Sequence, residues 1–275
     1  MQIVINPRIE TIMKKILLAV LAIATALTVS AQYTAPQIIA TGGFHKHPSS
    51  GVKNSLSALK AAQKAKLYGS ECDVNLTKDG EVLVVQTAWH PNRKAANKAD
   101  VQRSTAEKML SIPYDNGEYI STLEEFLKRA KKKPATKLIL NLRGQANIQR
   151  ETELVDKVLA IVEKAGMQAN VEYTTDHIWI NFELAKKAPK ESKIVGLAEP
   201  TYIKAMGLSG INCKLWIVKT KHKNWIKQAH KLGLTVTVWG ADKEDDIRWC
   251  IKNGVDFINT NDPMLVKKII KEMCK

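Results

Sequence analysis

Cysteine is scarce in this chain: four among 275 residues, at positions 72, 213, 250 and 274, with no two in Cys-x-x-Cys spacing. That pattern argues against a thiolate zinc site. Cys250 and Cys274, near the C-terminus, are the only pair considered for a disulfide. Cys72 and Cys213 sit in strand-like runs and read as small buried apolar residues. No Gly-x-Gly-x-x-Gly turn follows any β-branched run, so a dinucleotide-binding open sheet has no fingerprint. Low-complexity tracts and long linkers are missing. After residue 31 no apolar stretch approaches the roughly 18 residues that a membrane helix needs.

Acidic residues are also in short supply, 27 Asp and Glu against 42 Lys and Arg, a net charge of +15. Such a balance suits nucleic acid, an anionic membrane surface or an anionic small substrate. The lysines are scattered over helical surfaces, as at Lys60, Lys64 and Lys66, and no nucleic-acid-binding motif gathers them. A solubilising surface is the plain reading, and no nucleic-acid partner is expected.

What the chain does have begins with Met13-Lys14-Lys15, an apolar run over residues 16–29, and the small-residue pattern Val29-Ser30-Ala31 before Gln32. This is the form of a secretory signal peptide. Residues 1–31 are therefore expected to be removed, with translation expected to start at Met13. The remainder, 32–275, is one domain's length, exported to the periplasm or secreted. Losing Arg8, Lys14, Lys15 and Glu10 leaves 39 basic and 26 acidic residues, a net +13.

Past the signal one unit recurs: an amphipathic helix, a glycine, then a short β-branched strand. Asn54 is positioned to cap a helix over Leu56, Leu59 and Ala62, which Gly69 ends before the next strand. Leu154, Val158, Ile161 and Ala165 follow helical spacing up to Gly166 and a strand at 171–174. The same order leads through Gly233 to a strand at 234–239, and through Gly254 to one at 255–259. Further strands are expected at 37–41, 138–142, 193–197 and 211–218. Strands alternating with helices pair in parallel, and about eight units in this length suit a closed (β/α)8 TIM barrel. A doubly wound open sheet is the alternative.

Glu71 and Asp73 stand one residue apart in a strand, so their side chains share one face. Lys78-Asp79-Gly80 then supplies a tight turn before a second strand at 82–85. Two converging carboxylates repel, which leaves two options: a divalent metal between them, or a solvated edge-strand face.

The strand ends, read in order, include Thr41-Gly42-Gly43, Lys53-Asn54-Ser55, Glu71-Cys72-Asp73-Val74, Leu76-Thr77-Lys78-Asp79-Gly80, Gln86-Thr87, Asn141-Leu142-Arg143, Val238-Trp239 and Thr260-Asn261. Together they resemble the glycerophosphodiester phosphodiesterase family over essentially the whole chain after the signal. The most specific match is Glu-x-Asp-Val, one residue, then Leu-Thr-Lys-Asp-Gly. The resemblance implies a phospholipase-C-like barrel and metal-assisted hydrolysis of glycerophosphodiesters. It implies Glu71, Asp73 and Asn141 as ligands of a Ca²⁺ or Mg²⁺ ion, and Arg143, Trp239 and Lys53 as substrate-binding residues for an anionic glycerophosphodiester-like molecule.

The departures concern catalysis. The family's His-Arg-Gly is Thr41-Gly42-Gly43 here, its Glu-Asn-Ser is Lys53-Asn54-Ser55, and its His-Asp is Gln86-Thr87. Thr41 and Gln86 cannot shuttle a proton. His45, His47 and His90, on loops expected at the active rim, are the candidate substitutes, with His177 behind them; His222 and His230 read as helix-surface residues. Trp89 is expected to form a rim or to cover its loop, and Trp249 to pack a helix. Three readings follow: a family member with a degenerate active site that binds without turnover, an active enzyme with non-standard acid and base groups, or a non-enzymatic interaction barrel.

Overall fold

The structure, a computed structural model, describes residues 33–46, 51–85, 100–114 and 116–274. Its strands are β1 (Gln37–Ala40), β2 (Gly69–Leu76), β3 (Val82–Val84), β4 (Ser121–Thr122), β5 (Lys137–Leu142), β6 (Val171–Thr175), β7 (Ile194–Gly196), β8 (Gly210–Lys214), β9 (Thr235–Trp239) and β10 (Phe257–Thr260). All except β3 and β4 form one parallel ring, in sequence order, which closes where β1 pairs with both β10 and β2. The chain is a (β/α)8 barrel. β3 and β4 extend the ring as an antiparallel ribbon on the upper half of β2, after the Thr77–Glu81 turn that Gly80 completes at φ +86°.

Around the ring run α1 (Leu56–Lys64), α2 (Ala106–Leu110), α3 (Leu123–Ala130), α4 (Ile148–Lys164), α5 (Ile178–Lys187), α6 (Pro200–Ala205), α7 (Trp225–Lys231), α8 (Glu244–Lys252) and α9 (Pro263–Met273). Local signals explain their ends. Thr122 and Glu125 cap α3 reciprocally, with Glu124 and Glu125 in its first turn and Lys128 and Arg129 in its last, as the helix dipole favours. Asn147 caps α4 by accepting from the Arg150 amide.

The main apolar core lies between strands and helices. Leu138, Leu140 and Leu142 of β5 and Cys72, Val74 and Leu76 of β2 point outward into it. Full burial of each leucine contributes roughly 1.5–3 kcal/mol. The opposite positions of the same strands point inward, and many are polar: Glu71 and Asn75 on β2, Thr174 on β6, Thr237 on β9, Asn259 on β10. A filled barrel is ordinarily lined by branched aliphatics. Here a small internal cavity is bounded by Glu172, Thr174, Lys193, Asn212, Thr237 and Asn259 among others. At its foot Gly69 leaves room for Ile139, whose Cδ1 would lie 2.5 Å from an added Cβ.

Three expectations are corrected in detail. The strand expected at 211–218 ends at Lys214, and the chain coils into a wide π-helical turn over Ile217–Lys221. Ser55, not Asn54, caps α1, accepting from the Ala58 amide. Cys250 and Cys274 are separate thiols, the first buried and the second partly buried. Cys72 and Cys213 are buried, and Trp249 packs on the core from α8. Among the described residues no helix is long and apolar enough to cross a membrane.

Candidate active site

Glu71 and Asp73 sit on consecutive inward positions of β2, and the parallel register sets Asp73 beside Asn141 of β5. That register brings three polar side chains to one spot at the carboxyl end of the ring. The Asn141 amide nitrogen donates to Glu71 Oε1 and to Asp73 Oδ1, both at 3.0 Å. Gly42, after β1, donates its backbone N–H to Glu71 Oε2 at 2.7 Å. Gly42 has φ +63°, which glycine adopts without strain and which aims that N–H at the carboxylate.

Asn54 completes the frame. Its amide donates to Asp73 Oδ2 at 3.1 Å, and its Oδ1 accepts from the Asp73 backbone N–H at 2.9 Å. It holds φ +59°, a left-handed conformation that asparagine tolerates better than most residues. A position expected to cap a helix is instead a clamp on the second carboxylate. Lys53, beside it, packs its side chain against Gly42, and Arg143 Nε lies 3.8 Å from Asp73 Oδ1.

These contacts leave the carboxylates under-compensated. Glu71 is buried, and burial followed by the charge of Asp73 pushes its pKa up to about 7, against the hydrogen bonds from Gly42 and Asn141. Asp73 is also raised by burial, a rise that Arg143, Asn54 and Lys53 oppose. The pair titrates as a unit. Two carboxylates are thus held face to face by one shared neutral amide.

Whether the residues fit a divalent ion can be judged from this donor set. The carboxylates offer oxygens from two adjacent positions, and a half-turn of the Asn141 amide would exchange its nitrogen for Oδ1, giving three hard oxygen donors. Among the described residues no positive charge pairs with Glu71, and only Arg143 pairs with Asp73. Arg143 and Lys53 supply that charge only from the edge. The set fits a hard cation.

The remaining expected residues divide. Thr41 lies at the end of β1, where its hydroxyl donates to Asn259 Oδ1 at 2.7 Å. His45 Nδ1 donates to the Gly43 carbonyl at 3.0 Å, which leaves Nε2 as an acceptor. Burial holds the His45 pKa below its usual value, and Lys53 and Lys46 add to that. Trp239 ends β9 with its ring partly exposed, and the Lys214 ammonium stands 5.4 Å from the ring centroid. His177 pairs with Glu151, 3.0 Å from its Nδ1. His222 stacks on Trp225 and His230 bonds Asp256. Gln86, His47, His90 and Trp89 lie outside the described residues.

Sequence reasoning missed one further corner. Asp242, after β9, accepts from the Thr260 hydroxyl, the Asn261 backbone N–H and the Asn261 amide at 2.6–2.8 Å, and these bonds hold its carboxyl below the usual range despite burial. They fix the loop after β10 against the loop after β9. The available signal was an acid three residues past a strand end, followed by a Thr-Asn pair at the end of the next.

Comparison with known proteins bears on the family and the fold. Residues 41–265 match the model of the glycerophosphoryl diester phosphodiesterase family. A glycerophosphodiester phosphodiesterase of Caldanaerobacter subterraneus subsp. tengcongensis is 23% identical over 245 residues, 83% of this chain and 96% of that protein. The crystal structure of a glycerophosphodiester phosphodiesterase from Parabacteroides distasonis superposes with a TM-score of 0.82 at 26% identity, covering 88% of this chain and all of that one. A phosphodiesterase of Oleispira antarctica, solved with its product sn-glycerol-3-phosphate, superposes with a TM-score of 0.72 at 14% identity over 86% of this chain and 97% of that one. With its barrel closed, its paired acids at the strand ends and most of its length matched, this chain belongs to the glycerophosphoryl diester phosphodiesterase family.

Proposed function

We propose that this protein is an exported member of the family, periplasmic or secreted, that binds a divalent cation and an anionic glycerophosphodiester at the barrel mouth and hydrolyses it poorly or not at all. The observation that carries the reading is the pairing of an intact carboxylate centre, Glu71 with Asp73, with Thr41 where the family has an imidazole. The Thr41 hydroxyl is already committed to Asn259. Glu71, Asp73 and Asn141 would hold Ca²⁺ or Mg²⁺, which when bound supplies Lewis-acid polarisation of a phosphoryl oxygen. Arg143 faces the same centre and offers a planar fork suited to phosphate oxygens, with Lys53 adding positive charge. Trp239 offers an apolar wall for the alcohol portion.

Binding alone does not break a phosphodiester. A positioned acid or base contributes typically ~10²–10⁴-fold, and the family positions for two such groups hold Thr41 and Gln86. From a usual turnover of ~10 per second, loss of both leaves about one event in many minutes, allowing for non-additivity. A second reading has one observation in its favour: His45 keeps Nε2 free to accept a proton, so an enzyme with a displaced base is chemically coherent.

The deciding experiment incubates the purified protein with glycerophosphocholine and glycerophosphoethanolamine in Ca²⁺ or Mg²⁺ and measures glycerol phosphate. No release above background is expected, with measurable release after Thr41→His combined with Gln86→His. Brisk release by the natural chain, abolished by His45→Ala, would establish the second reading instead.

A further inference from the structure

Eight large apolar side chains are exposed among the described residues. Six of them, Ile148, Ile178, Tyr202, Trp216, Trp239 and Met264, end a strand or lie in the connection and first helical turn that follow one. The eight ring strands are parallel, so these positions share one end of the barrel, the mouth. Single exposed apolar residues are ordinary on any surface. Their concentration at one end is not, and exposed apolar groups beside charged ones mark interaction faces.

The segment after β8 concentrates this character. Residues 214–224 read Lys-Leu-Trp-Ile-Val-Lys-Thr-Lys-His-Lys-Asn, four lysines without an acid. Lys219 is bound by Asp246 at 2.8 Å, but Lys214, Lys221 and Lys223 have no carboxylate partner among the described residues. Trp216 is 42% exposed, and the Lys221 ammonium lies 4.7 Å from its ring centroid. The backbone that presents them is the π-helical turn, closed by His222 N–H donating to the Ile217 carbonyl at 2.7 Å. Such turns are rare and are found often at functional sites.

We propose that the barrel mouth docks on an anionic lipid bilayer, with Trp216 entering the interfacial layer and Lys214, Lys221 and Lys223 meeting headgroup phosphates. Tryptophan favours the headgroup level, and each lysine near an anionic surface strengthens attachment. The six apolar tips follow six consecutive ring strands, β5 to β10, around one rim. An acidic protein would satisfy the lysines but would leave the distant tips, such as Ile178 and Met264, without a role. Docking of this kind is independent of metal binding or turnover at Glu71 and Asp73.

The test is co-sedimentation of the full chain with vesicles of phosphatidylcholine alone or mixed with phosphatidylglycerol, for the natural protein, Trp216→Ser, and Lys221→Glu combined with Lys223→Glu. The apolar run at residues 16–29 is common to all three, so differences between them report on the mouth. Binding to the anionic vesicles is expected to exceed binding to the neutral ones and to weaken with salt, and the paired charge reversal should lower it by more than about tenfold. Hydrogen exchange on the natural protein should slow at residues 214–224 when anionic vesicles are added, a readout that needs no variant to fold. Equal sedimentation of all three chains with protection absent from 214–224 overturns the proposal. So does capture by soluble polyphosphate or an acidic protein without any preference for anionic vesicles.

Discussion

The two ends of the barrel interior solve the problem of buried charge differently. At the foot, Glu172 of β6 has a phenol and an ammonium to itself: Tyr68 donates to it, and Lys193 lies 3.3 Å away while also donating to the Tyr68 oxygen at 3.0 Å. The Lys193 ammonium stands 3.6 Å from the Phe257 ring centroid, and burial lowers its pKa although Glu172 pulls the other way. One acid meets one base, and the cluster plugs the ring. At the mouth, Glu71 and Asp73 share one neutral amide, and the one cation paired with them among the described residues, Arg143, is 3.8 Å from Asp73. A cluster that exists for packing is neutralised where it stands. The cluster at the mouth is left short of positive charge.

The largest effect should come from breaking the foot. Lys193→Met leaves the Glu172 carboxylate buried without its cation, which costs roughly 3–5 kcal/mol, read as a lower urea midpoint with unchanged slope. The mouth should respond in the opposite direction. With chelator at neutral pH, Glu71→Gln removes an ionisation that folding disfavours and should raise stability by up to roughly 3 kcal/mol. If it destabilises the chain as Lys193→Met does, the two ends are alike and the comparison fails.

The pH dependence sharpens the contrast. The folded pKa of Glu71 lies above its ordinary 4.5, at about 7, so the folded chain binds more protons than the unfolded one between those values. Its contribution is therefore fully favourable below pH 4.5 and is lost as pH rises toward and through 7. Melting temperature in chelator should fall across that window, and Ca²⁺, which favours the ionised pair, should restore it most at the upper end. Asp73, Arg143 and Lys53 face the same group, so Glu71→Gln is the control that should flatten the Glu71 component. A calcium-induced rise that persists in Glu71→Gln would locate the ion elsewhere.

Asn54→Ala should have the smallest effect, about 1–2 kcal/mol, from two lost hydrogen bonds and an alanine forced to positive φ. Its more telling readout is calcium affinity. Loss of the clamp on Asp73 should weaken calcium binding several-fold, whereas a substitution at the foot should leave it unchanged once the protein is folded.

The barrel was legible in the sequence because its signals are local and repeated: glycine after several of the amphipathic helices, then a β-branched strand. The pairing of Glu71 with Asp73 followed from alternation along one strand. What stayed hidden depends on neighbours far along the chain. Asn54 looked like a helix cap because its competing partner, the Asp73 backbone and carboxylate, is nineteen residues on. The apparent strand at 211–218 looked continuous because Ile217 and Val218 are β-branched. Val218 nevertheless packs into the core from a π-helical turn, tertiary burial overriding propensity. The Asp242 corner is likewise a product of the order in which loops meet around the ring.

The carboxylate centre lies beside the seam where the first strand joins the second, and β1 meets β2 at only two residue pairs, Ile39 with Gly69 and Ala40 with Ser70. The Gly42 bond to Glu71 crosses that seam. Any parting of those two short pairings would take the Gly42 N–H away from Glu71 and leave the buried carboxylate with one donor fewer, so the integrity of the centre is tied to the closure of the ring.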